Sequence, residues 1–310
     1  MALLRIATRG SGLARAQSGQ VGRLLEAALG VTAEFVIVRT TGDRIQDRPL
    51  SEVGGKGLFV KEIEEALLRG DADVAVHSGK DLPAHIAPGL ELAAFPPRED
   101  PRDALVGRQG GETLAGLRPG ARVGTGSVRR RAQLLRARPD LDVVPLRGNV
   151  DTRLRKLEEE ELDAVILACA GLARLGLDER IDERLDPEVL VPAVAQGTLA
   201  LEVRAGDAWA ARIGEIDDPA ARASTDAERA FLVGLAGDCN VPLAAHARVA
   251  ADGVSLTAVL LALDGSVELR TQRSGPRESA TELGRDAAAA VLADGGRELL
   301  ASLGVEVPGS

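Results

Sequence analysis

Short apolar runs alternate with amphipathic segments through the first two thirds of the chain, and each kind of segment predicts a different element. The apolar runs predict strands at 3–7, 34–38, 73–76, 122–123, 143–146, 164–167 and 198–203. The amphipathic segments predict helices at 13–29, 58–68 and 218–235, and two more that start at Val128 and Val150. Strands that alternate with helices are typical of α/β sheets with many parallel strand pairs.

The pattern is interrupted over 95–103, where prolines and charges follow one another, and we expect a hinge there. The last part of the chain has a different pattern. Runs at 243–249, 254–263 and 266–272 predict antiparallel strands, and a helix is predicted at about 279–293 with another near Glu298. This part of the chain therefore predicts a small α+β domain.

Composition and charge narrow the classes of partner. The 310 residues carry a net charge of −9, and aromatic residues are only 2% with no tyrosine. Nucleic-acid binders usually have a large basic field or aromatic stacking platforms, so we expect no nucleic-acid partner. No apolar run is long enough to span a membrane, and the first residues lack the apolar core of a signal peptide. We therefore expect a cytoplasmic protein with no membrane partner.

The chain has few cysteines and histidines. Two cysteines cannot form a disulfide framework, which fits a reducing compartment, and three histidines show no metal-ligand spacing. We therefore expect no bound metal. Independently of these residues, we expect a monomer.

Arginines cluster at two predicted helix starts. Gly124-Thr-Gly-Ser-Val-Arg-Arg-Arg131 precedes one helix, and Leu146-Arg-Gly-Asn-Val-Asp-Thr-Arg153 precedes the next. Cations at a helix N-terminus oppose the helix dipole, so local stability does not explain them. Backbone N–H groups, hydroxyls and guanidinium groups together form a strong anion site. A solvated basic face is the alternative, but the repeat of the arrangement favours a site for a polyanion that carries carboxylates.

Other segments carry candidate chemistry. Arg9 and Ser11 lie between a predicted strand and a helix, which makes a further anion site. The glycine-rich segment 53–61 lacks the hydroxyl of a phosphate loop, so we expect a mobile loop instead of a nucleotide site. In His77-Ser-Gly-Lys-Asp-Leu-Pro83 a cation and a carboxylate follow a strand, where α/β sheets bind ligands, although Asp81 could also cap the next turn.

The two cysteines have different surroundings. Cys169 lies in an apolar run and is expected to be a buried, inert side chain. Cys239 lies in the polar turn Gly237-Asp-Cys-Asn-Val-Pro242, where a thiol can ionise and react, although an inert loop cysteine fits equally well.

Taken together, these segments resemble the hydroxymethylbilane synthase family, also called porphobilinogen deaminases, from the N-terminus to the last domain. The similarity is carried by Val53-Gly-Gly-Lys-Gly-Leu-Phe-Val-Lys61, His77-Ser-x-Lys-Asp-Leu-Pro83, Arg98-Glu-Asp-Pro-Arg-Asp103, Leu146-Arg-Gly-Asn-Val-x-Thr-Arg153 and Val191-Pro-Ala-Val-x-Gln-Gly197. The family joins four porphobilinogen molecules on a covalent dipyrromethane cofactor, and hydrolysis releases 1-hydroxymethylbilane in tetrapyrrole (haem) biosynthesis. The resemblance therefore implies a transferase.

The resemblance also implies roles for individual residues. Asp81 matches the catalytic aspartate, and Lys56 and Lys61 fall on the family's mobile loop. The residues that match cofactor-binding groups are Cys239, through a thioether, with Lys80, Thr125, Ser127, Arg129 and Arg130. The residues that match substrate-binding groups are Arg9, Ser11, Gln17, Phe59, Arg147, Arg153, Arg174 and Gln196. Three residues depart from the family's usual pattern: Ala16, Gly126 and Asp238.

These residue types suit the chemistry of that family. Porphobilinogen has an acetate and a propionate arm, so a growing chain of pyrroles needs many cations. Its aminomethyl group leaves as ammonia, and the cationic azafulvene that remains needs a nearby carboxylate for charge stabilisation and for removal of a proton. Asp81 is the candidate for this role.

The resemblance implies an α/β fold of three domains. Two periplasmic-binding-protein-like α/β domains surround a cleft, and a C-terminal α+β domain carries the cofactor cysteine. We expect domain 1 at 1–97 with a returning segment 196–217, domain 2 at 98–195 and domain 3 at 218–310. A non-enzymatic binder of small anions on a two-lobed fold is the main alternative, although it would leave Asp81 and Cys239 without a role.

Overall fold

The fold is described from a computed structural model that covers residues 2–44, 60–237 and 241–305. The chain divides into two compact units. Unit 1 comprises Met1–Glu99 and Gly197–Arg222, and unit 2 comprises Asp100–Gln196 and Ala223–Ser310. No helix of the described residues is long and apolar enough to cross a membrane.

Unit 1 contains a five-stranded mixed sheet. Its strands are β1 (Leu3–Arg9), β2 (Thr32–Val38), β3 (Val74–Ser78), β4 (Leu90–Ala94) and β10 (Leu199–Arg204). The order is β2-β1-β3-β10-β4, in which β1 is parallel to β2 and β3 while β10 is antiparallel to β3 and β4. The helices of this unit are α1 (Gly12–Leu29), α2 (Thr41–Arg44), α3 (Lys61–Leu68) and α7 (Ala208–Ile213), with short 3-10 turns at Gly79–Asp81 and Gly214–Ile216.

Unit 2 contains a second sheet with the same plan. Its strands are β5 (Asp103–Gly107), β6 (Arg122–Gly124), β7 (Asp142–Val144), β8 (Ala164–Ala168) and β9 (Glu183–Arg184), in the order β7-β6-β8-β5-β9. Strand β6 is parallel to β7 and β8, and β5 is antiparallel to β8 and β9. The helices are α4 (Val128–Ala137), α5 (Val150–Glu159) and α6 (Cys169–Arg174), with a 3-10 turn at Asp178–Arg180.

The two sheets therefore share one topology, in which three parallel strands are followed by an antiparallel fourth strand and an edge strand. They differ in where the fourth strand comes from. In unit 2 the strand β5 precedes the other four in sequence, whereas in unit 1 the strand β10 follows all of the unit 2 sheet. The expected α/β fold class, with two similar α/β sheets, is confirmed.

The last part of the chain forms an antiparallel sheet with helices, as expected. Strands β11 (Leu243–Ala250), β12 (Gly253–Leu261) and β13 (Glu268–Gly275) pair in sequence order. Helix α8 (Pro219–Gly234) precedes this sheet, and α9 (Ala280–Val291) and α10 (Arg297–Ser302) follow it. A 3-10 turn at Arg277–Ser279 leads into α9, and the π-type turn Leu292–Gly296 includes non-helical backbone at Asp294 and Gly295.

Apolar side chains of the central strands pack against the helices of each α/β sheet, which explains why these strands are mostly apolar. In unit 1, Leu4, Ile6, Leu25 and Leu201 are part of one fully buried cluster between β1, α1 and β10. In unit 2, Leu105, Val123 and Leu134 belong to an equivalent cluster between β5, β6 and α4.

Several elements differ from the sequence expectations. Residues 95–102 of the expected hinge form no helix or strand, and the two units divide between Glu99 and Asp100. The strand β5, which begins at Asp103 and lies between two strands of the sheet, was not predicted. Strands β4 and β9 and helices α2, α6 and α7 were not predicted, and all are short. Helix α3 begins at Lys61 after the N-cap residue Val60, and residues 58 and 59 of the predicted helix lie outside the described residues.

Candidate functional site

The carboxyl ends of β1 and β3 lie at the same edge of the unit 1 sheet, because these strands are parallel neighbours. Arg9 is the last residue of β1. Ser11 then caps α1, since its hydroxyl accepts a hydrogen bond from the backbone N–H of Ala14 at 3.3 Å. Gln17 lies on the buried face of the same helix. Three of the expected substrate-binding residues are thus brought to the start of α1.

Lys80 and Asp81 follow β3 in a single 3-10 turn at this same sheet edge. The turn is fixed to β10 at its start, where the N–H of Gly79 donates to the carbonyl of Thr198 at 2.9 Å. Both side chains are half-buried. The Asp81 carboxylate accepts no hydrogen bond from any residue in the described parts of the chain, so nothing there supports a capping role.

A buried acidic cluster that sequence reasoning missed lies on β3, β10 and α3. His77 Nε2 is 3.0 Å from Glu202 Oε2, and both side chains are buried. Burial and the neighbouring Glu202 raise the pKa of Glu64, despite a hydrogen bond from the backbone of Ala87. In the sequence, Glu64 fits the polar face of a predicted helix, and Glu202 is the single charged residue in a predicted strand. Neither pattern indicated a buried cluster.

In unit 2 the two expected cofactor-binding arginines share one carboxylate. Asp103 Oδ1 accepts from Arg130 Nε at 2.9 Å and Nη2 at 2.7 Å, and Asp103 Oδ2 lies 2.8 Å from Arg129 Nη1. All three residues are buried, with exposed fractions of 0% for Asp103, 5% for Arg129 and 4% for Arg130. We call these three residues the arginine cluster.

The electrostatics of the arginine cluster follow from this geometry. Burial opposes ionisation of Asp103, but the charges of Arg129 and Arg130 outweigh it and hold the pKa of its carboxyl well below the usual range. Burial lowers the pKa of Arg129, although Asp103 opposes this shift. One carboxylate faces two guanidinium groups, so the cluster retains positive charge. A further carboxylate is the natural complement of that charge.

Backbone carbonyls fix the orientation of these arginines. Arg129 Nη1 donates to the carbonyl of Val191 at 2.6 Å, and Arg130 Nη1 donates to that of Ile166 at 2.9 Å. From the sequence, these guanidinium groups were expected to meet a ligand at a helix start. The structure instead shows that protein groups already bind both guanidinium groups. Their counter-ion is Asp103, an aspartate at the start of a buried strand.

The loop before α4 and the loop before α5 lie side by side. The N–H of Thr125 donates to the carbonyl of Val144 at 3.0 Å, and the N–H of Leu146 donates to the carbonyl of Thr125 at 3.2 Å. Ser127 caps α4 through its hydroxyl. A Cβ at Gly126 would lie 2.6 Å from the carbonyl oxygen of Leu146. This close approach explains why glycine suits position 126.

Arg147 and Arg153 flank the start of α5. Asn149 caps this helix, since its side chain accepts from the N–H of Thr152 at 2.9 Å. Arg153 folds back over the cap, and its Nε donates to the carbonyl of Gly148 at 2.8 Å. Arg147 Nη1 is buried and has no hydrogen-bond partner among the described residues. An unsatisfied buried donor of this kind is what a bound anion would complete.

Gln196 and Arg174 complete the residues expected in unit 2. Gln196 is buried, and its Nε2 donates to the carbonyl of Pro101 at 2.7 Å and to Asp103 Oδ1 at 2.9 Å. It therefore joins the arginine cluster directly. Arg174 is the last residue of α6, which follows β8. Since β6, β7 and β8 are parallel, the segments that follow them lie at one edge of the sheet.

Two expected site residues, Cys239 and Phe59, lie outside the described residues, as do Lys56 and Asp238. Cys169 is buried at the start of α6, and burial together with the nearby Asp100 and Asp103 raises the pKa of its thiol to about 12. Its thiolate is therefore scarce at neutral pH. Among the described residues no group of three or more His, Cys, Asp and Glu side chains could hold a metal ion.

Comparison with known proteins identifies the family. Residues 4–212 match the family described as "Porphobilinogen deaminase, dipyromethane cofactor binding domain", and residues 223–293 match "Porphobilinogen deaminase, C-terminal domain". A porphobilinogen deaminase of Roseiflexus castenholzii is 52% identical over 96% of this chain and 98% of its own length. One of Syntrophotalea carbinolica is 49% identical over 97% of this chain and 96% of its own length.

Among solved structures, the methionine-binding protein MetQ is 13% identical, with a TM-score of 0.44 over 69% of this chain and 89% of its own. The family assignment does not depend on that likeness. The two matching regions account for most of the chain, and the relatives are similar along nearly their whole length. The chain belongs to the porphobilinogen deaminase family.

Proposed function

We propose that Asp81 is the catalytic carboxylate of this chain, and that Cys239 bears the dipyrromethane cofactor, whose acidic arms the arginine cluster holds. The family's enzymes are transferases with a dipyrromethane cofactor, and their reaction determines which groups the chain must provide. Four molecules of porphobilinogen and one of water give 1-hydroxymethylbilane and four molecules of ammonia, in tetrapyrrole (haem) biosynthesis. The chain therefore needs binding sites for many carboxylates and one group that manages charge and protons.

The residues present fit the cofactor. The arginine cluster sets two guanidinium groups against a single carboxylate, and this positive charge at the sheet edge is the observation that carries the proposal. Ser127 and Thr125 add hydroxyls beside α4, and Lys80 adds a cation after β3. When bound, the dipyrromethane supplies the nucleophilic pyrrole α-carbon to which the substrate is joined.

The remaining cations are proposed to bind the acetate and propionate arms of porphobilinogen and of the growing product. Arg147 offers a buried N–H without a described hydrogen-bond partner, and Arg153 lies one turn into the next helix. Charge-assisted hydrogen bonds to carboxylates are stronger than neutral ones, so each arginine adds to binding. The substrate-binding residues of this proposal are Arg9, Ser11, Gln17, Phe59, Arg147, Arg153, Arg174 and Gln196.

Asp81 is proposed to act on the reacting part of the substrate. Its carboxylate stabilises the positive charge that develops on the pyrrole when the aminomethyl group leaves as ammonia. One of its oxygens then takes up the proton that the new carbon–carbon bond displaces. Its carboxylate is available for this work because no described residue donates a hydrogen bond to it.

We further propose that the protein acts as a monomer in the cytoplasm. The three-domain division at 1–97 with 196–217, 98–195 and 218–310 stays a prediction, and so does the cleft between the first two domains. A non-enzymatic anion binder would use the same arginines but would have no need of Asp81 or Cys239.

Intact mass and turnover test this proposal together. Protein from cells that make porphobilinogen should weigh more than its sequence by two porphobilinogen units less two ammonia. Cys239→Ser should lose this added mass, while the matched variant Cys169→Ser keeps it. Asp81→Asn should keep its fold and lose turnover by about 10²–10⁴-fold, because a general acid–base group contributes that much.

Asp71→Asn is the control for Asp81, since Asp71 is an exposed carboxylate whose partner is the neighbouring Arg69. It should turn over as the unaltered protein does. An unmodified mass for the unaltered protein would refute the role of Cys239, and near-normal turnover of Asp81→Asn would assign the chemistry to another group.

A further inference from the structure

Glu228 is a carboxylate with no exposed surface, on helix α8. Its two oxygens accept hydrogen bonds from two distant parts of the backbone. Oε2 accepts from the N–H of Ala195 at 2.6 Å, and Oε1 accepts from the N–H of Ala247 at 2.7 Å. A buried charge is costly unless it is well hydrogen-bonded, so a carboxylate held in this way fixes both backbone segments.

The first segment leads to the arginine cluster. Ala195 has a φ of 55°, a left-handed conformation that is uncommon for a residue with a side chain. The bond from its N–H to Glu228 helps to hold it there. The next residue, Gln196, donates to Asp103 Oδ1, which also accepts from Arg130. The backbone at Ala195 thus aims the Gln196 amide at the carboxylate that orders both arginines.

The second segment leads to the cofactor cysteine. Strand β11 is at the edge of its three-stranded sheet, so the N–H groups on its outer side have no strand partner. Glu228 accepts one of these, from Ala247. Strand β11 begins at Leu243, a few residues after Cys239 in the sequence.

We infer that Glu228 is a positioning residue for cofactor attachment, because it ties the strand that follows Cys239 to the segment that orders the arginine cluster. This inference rests on the proposed roles of Cys239, Arg129 and Arg130. Glu228 touches neither cofactor nor substrate in this scheme. Its two hydrogen bonds hold β11 and the backbone that aims Gln196 at Asp103, so that the arginine cluster keeps the arrangement proposed to bind the acidic arms of the cofactor.

The variant Glu228→Gln tests this with little change of shape. Its carbonyl oxygen can replace one carboxylate oxygen, but its NH₂ group must then face the other backbone N–H. One of the two ties is lost. We expect attachment of the cofactor to slow by about tenfold or more, since a hydrogen bond to a charged group is worth at least that factor.

Asp182→Asn is the matched control. Asp182 also uses both carboxylate oxygens to accept backbone N–H groups, from Gly107 and Gly111, each at 2.7 Å. These hydrogen bonds lie at the end of β5 and in the loop that follows it, and they lead neither to β11 nor to Gln196. The control should lower the thermal midpoint through the same kind of lost bond, and should attach the cofactor at the rate of the unaltered protein.

The experiment uses apoprotein from cells that cannot make porphobilinogen, incubated with porphobilinogen, and follows intact mass over time. Slower attachment in folded Glu228→Gln but not in Asp182→Asn supports the inference. Equal rates in all three proteins overturn it. If Glu228→Gln does not fold, Glu228→Asp decides, since its shorter side chain keeps the charge but cannot reach both N–H groups. Failure of the unaltered protein to gain mass would instead refute the role of Cys239.

Discussion

The buried charges around Asp103 give the sharpest test of the electrostatics. Asp103→Asn keeps the shape of the side chain but leaves Arg129 and Arg130 buried without a counter-charge. Both guanidinium groups lie within 2.8 Å of the carboxylate, and the surroundings admit almost no solvent. Removing one partner of such a buried set costs about 3–5 kcal/mol. The thermal midpoint should fall by roughly 6–20 °C at about 2–4 °C per kcal/mol.

The assay is thermal and urea unfolding of the apoprotein at neutral pH, with Glu159→Gln as the control. Glu159 pairs with Arg155 one helical turn away, and both side chains are exposed. Its loss should cost about 0.3–0.5 kcal/mol. A midpoint for Asp103→Asn that is no lower than that of the control would refute the account of the arginine cluster.

The pH dependence of this difference has a definite sign. The folded state lowers the pKa of Asp103, so its contribution is present above the unfolded pKa, about 4, and is lost as the pH falls through the folded value. The difference in thermal midpoint between Asp103→Asn and the unaltered protein should therefore be constant near neutral pH and disappear only in strong acid. This difference should also be smaller in holoprotein, because cofactor carboxylates replace part of the lost charge and ligand binding favours the folded state.

Two further predictions follow from the other shifted groups. With the pKa of its thiol raised to about 12, Cys169 should resist alkylation by iodoacetamide in the folded protein near pH 8 and react only after unfolding, as peptide mass analysis would show; labelling of the folded protein would contradict this. Because the pKa of Glu64 is raised, its contribution to stability is present below the unfolded pKa and is lost as the pH rises through the folded value. Glu64→Gln should thus gain in urea midpoint over the unaltered protein as the pH rises from 4 to 8, and a constant difference would contradict the shift.

Sequence patterns predicted the elements that have strong local signals. Helices α1 and α4 follow from amphipathic runs, whereas the structure was needed to show that Ser11 and Ser127 cap them. The parallel strands follow from short, uninterrupted apolar runs. Strands β5 and β9 were not predicted, because their partner strands are distant in the sequence. Their own residue patterns are also too short to distinguish a strand from a loop.

The sequence indicated candidate site residues, but it did not indicate their partners. The sequence placed Arg129 and Arg130 at an anion site, and it left Asp103 without a role, since the ion pair joins residues 27 positions apart in the case of Arg130. Glu228 did leave a signal, because it lies on the same helical face as the buried Phe231 and Leu235. An acidic residue on an apolar stripe indicates a specific partner, but only the folded chain shows which backbone groups those are.

The source of the fourth strand in each sheet has a consequence for synthesis on the ribosome. Strands β5 to β9 are contiguous, so the sheet of unit 2 can close as soon as residue 184 has emerged. In unit 1, β10 lies between β3 and β4, so β4 has no hydrogen-bonded neighbour until residue 204 is available. The N-terminal sheet must therefore wait, incomplete, while the later one forms. A fragment that ends at Glu99, where the chain leaves unit 1, would lack β10 and leave a gap between β3 and β4. We therefore expect such N-terminal fragments to fold poorly, although they contain four of the five strands.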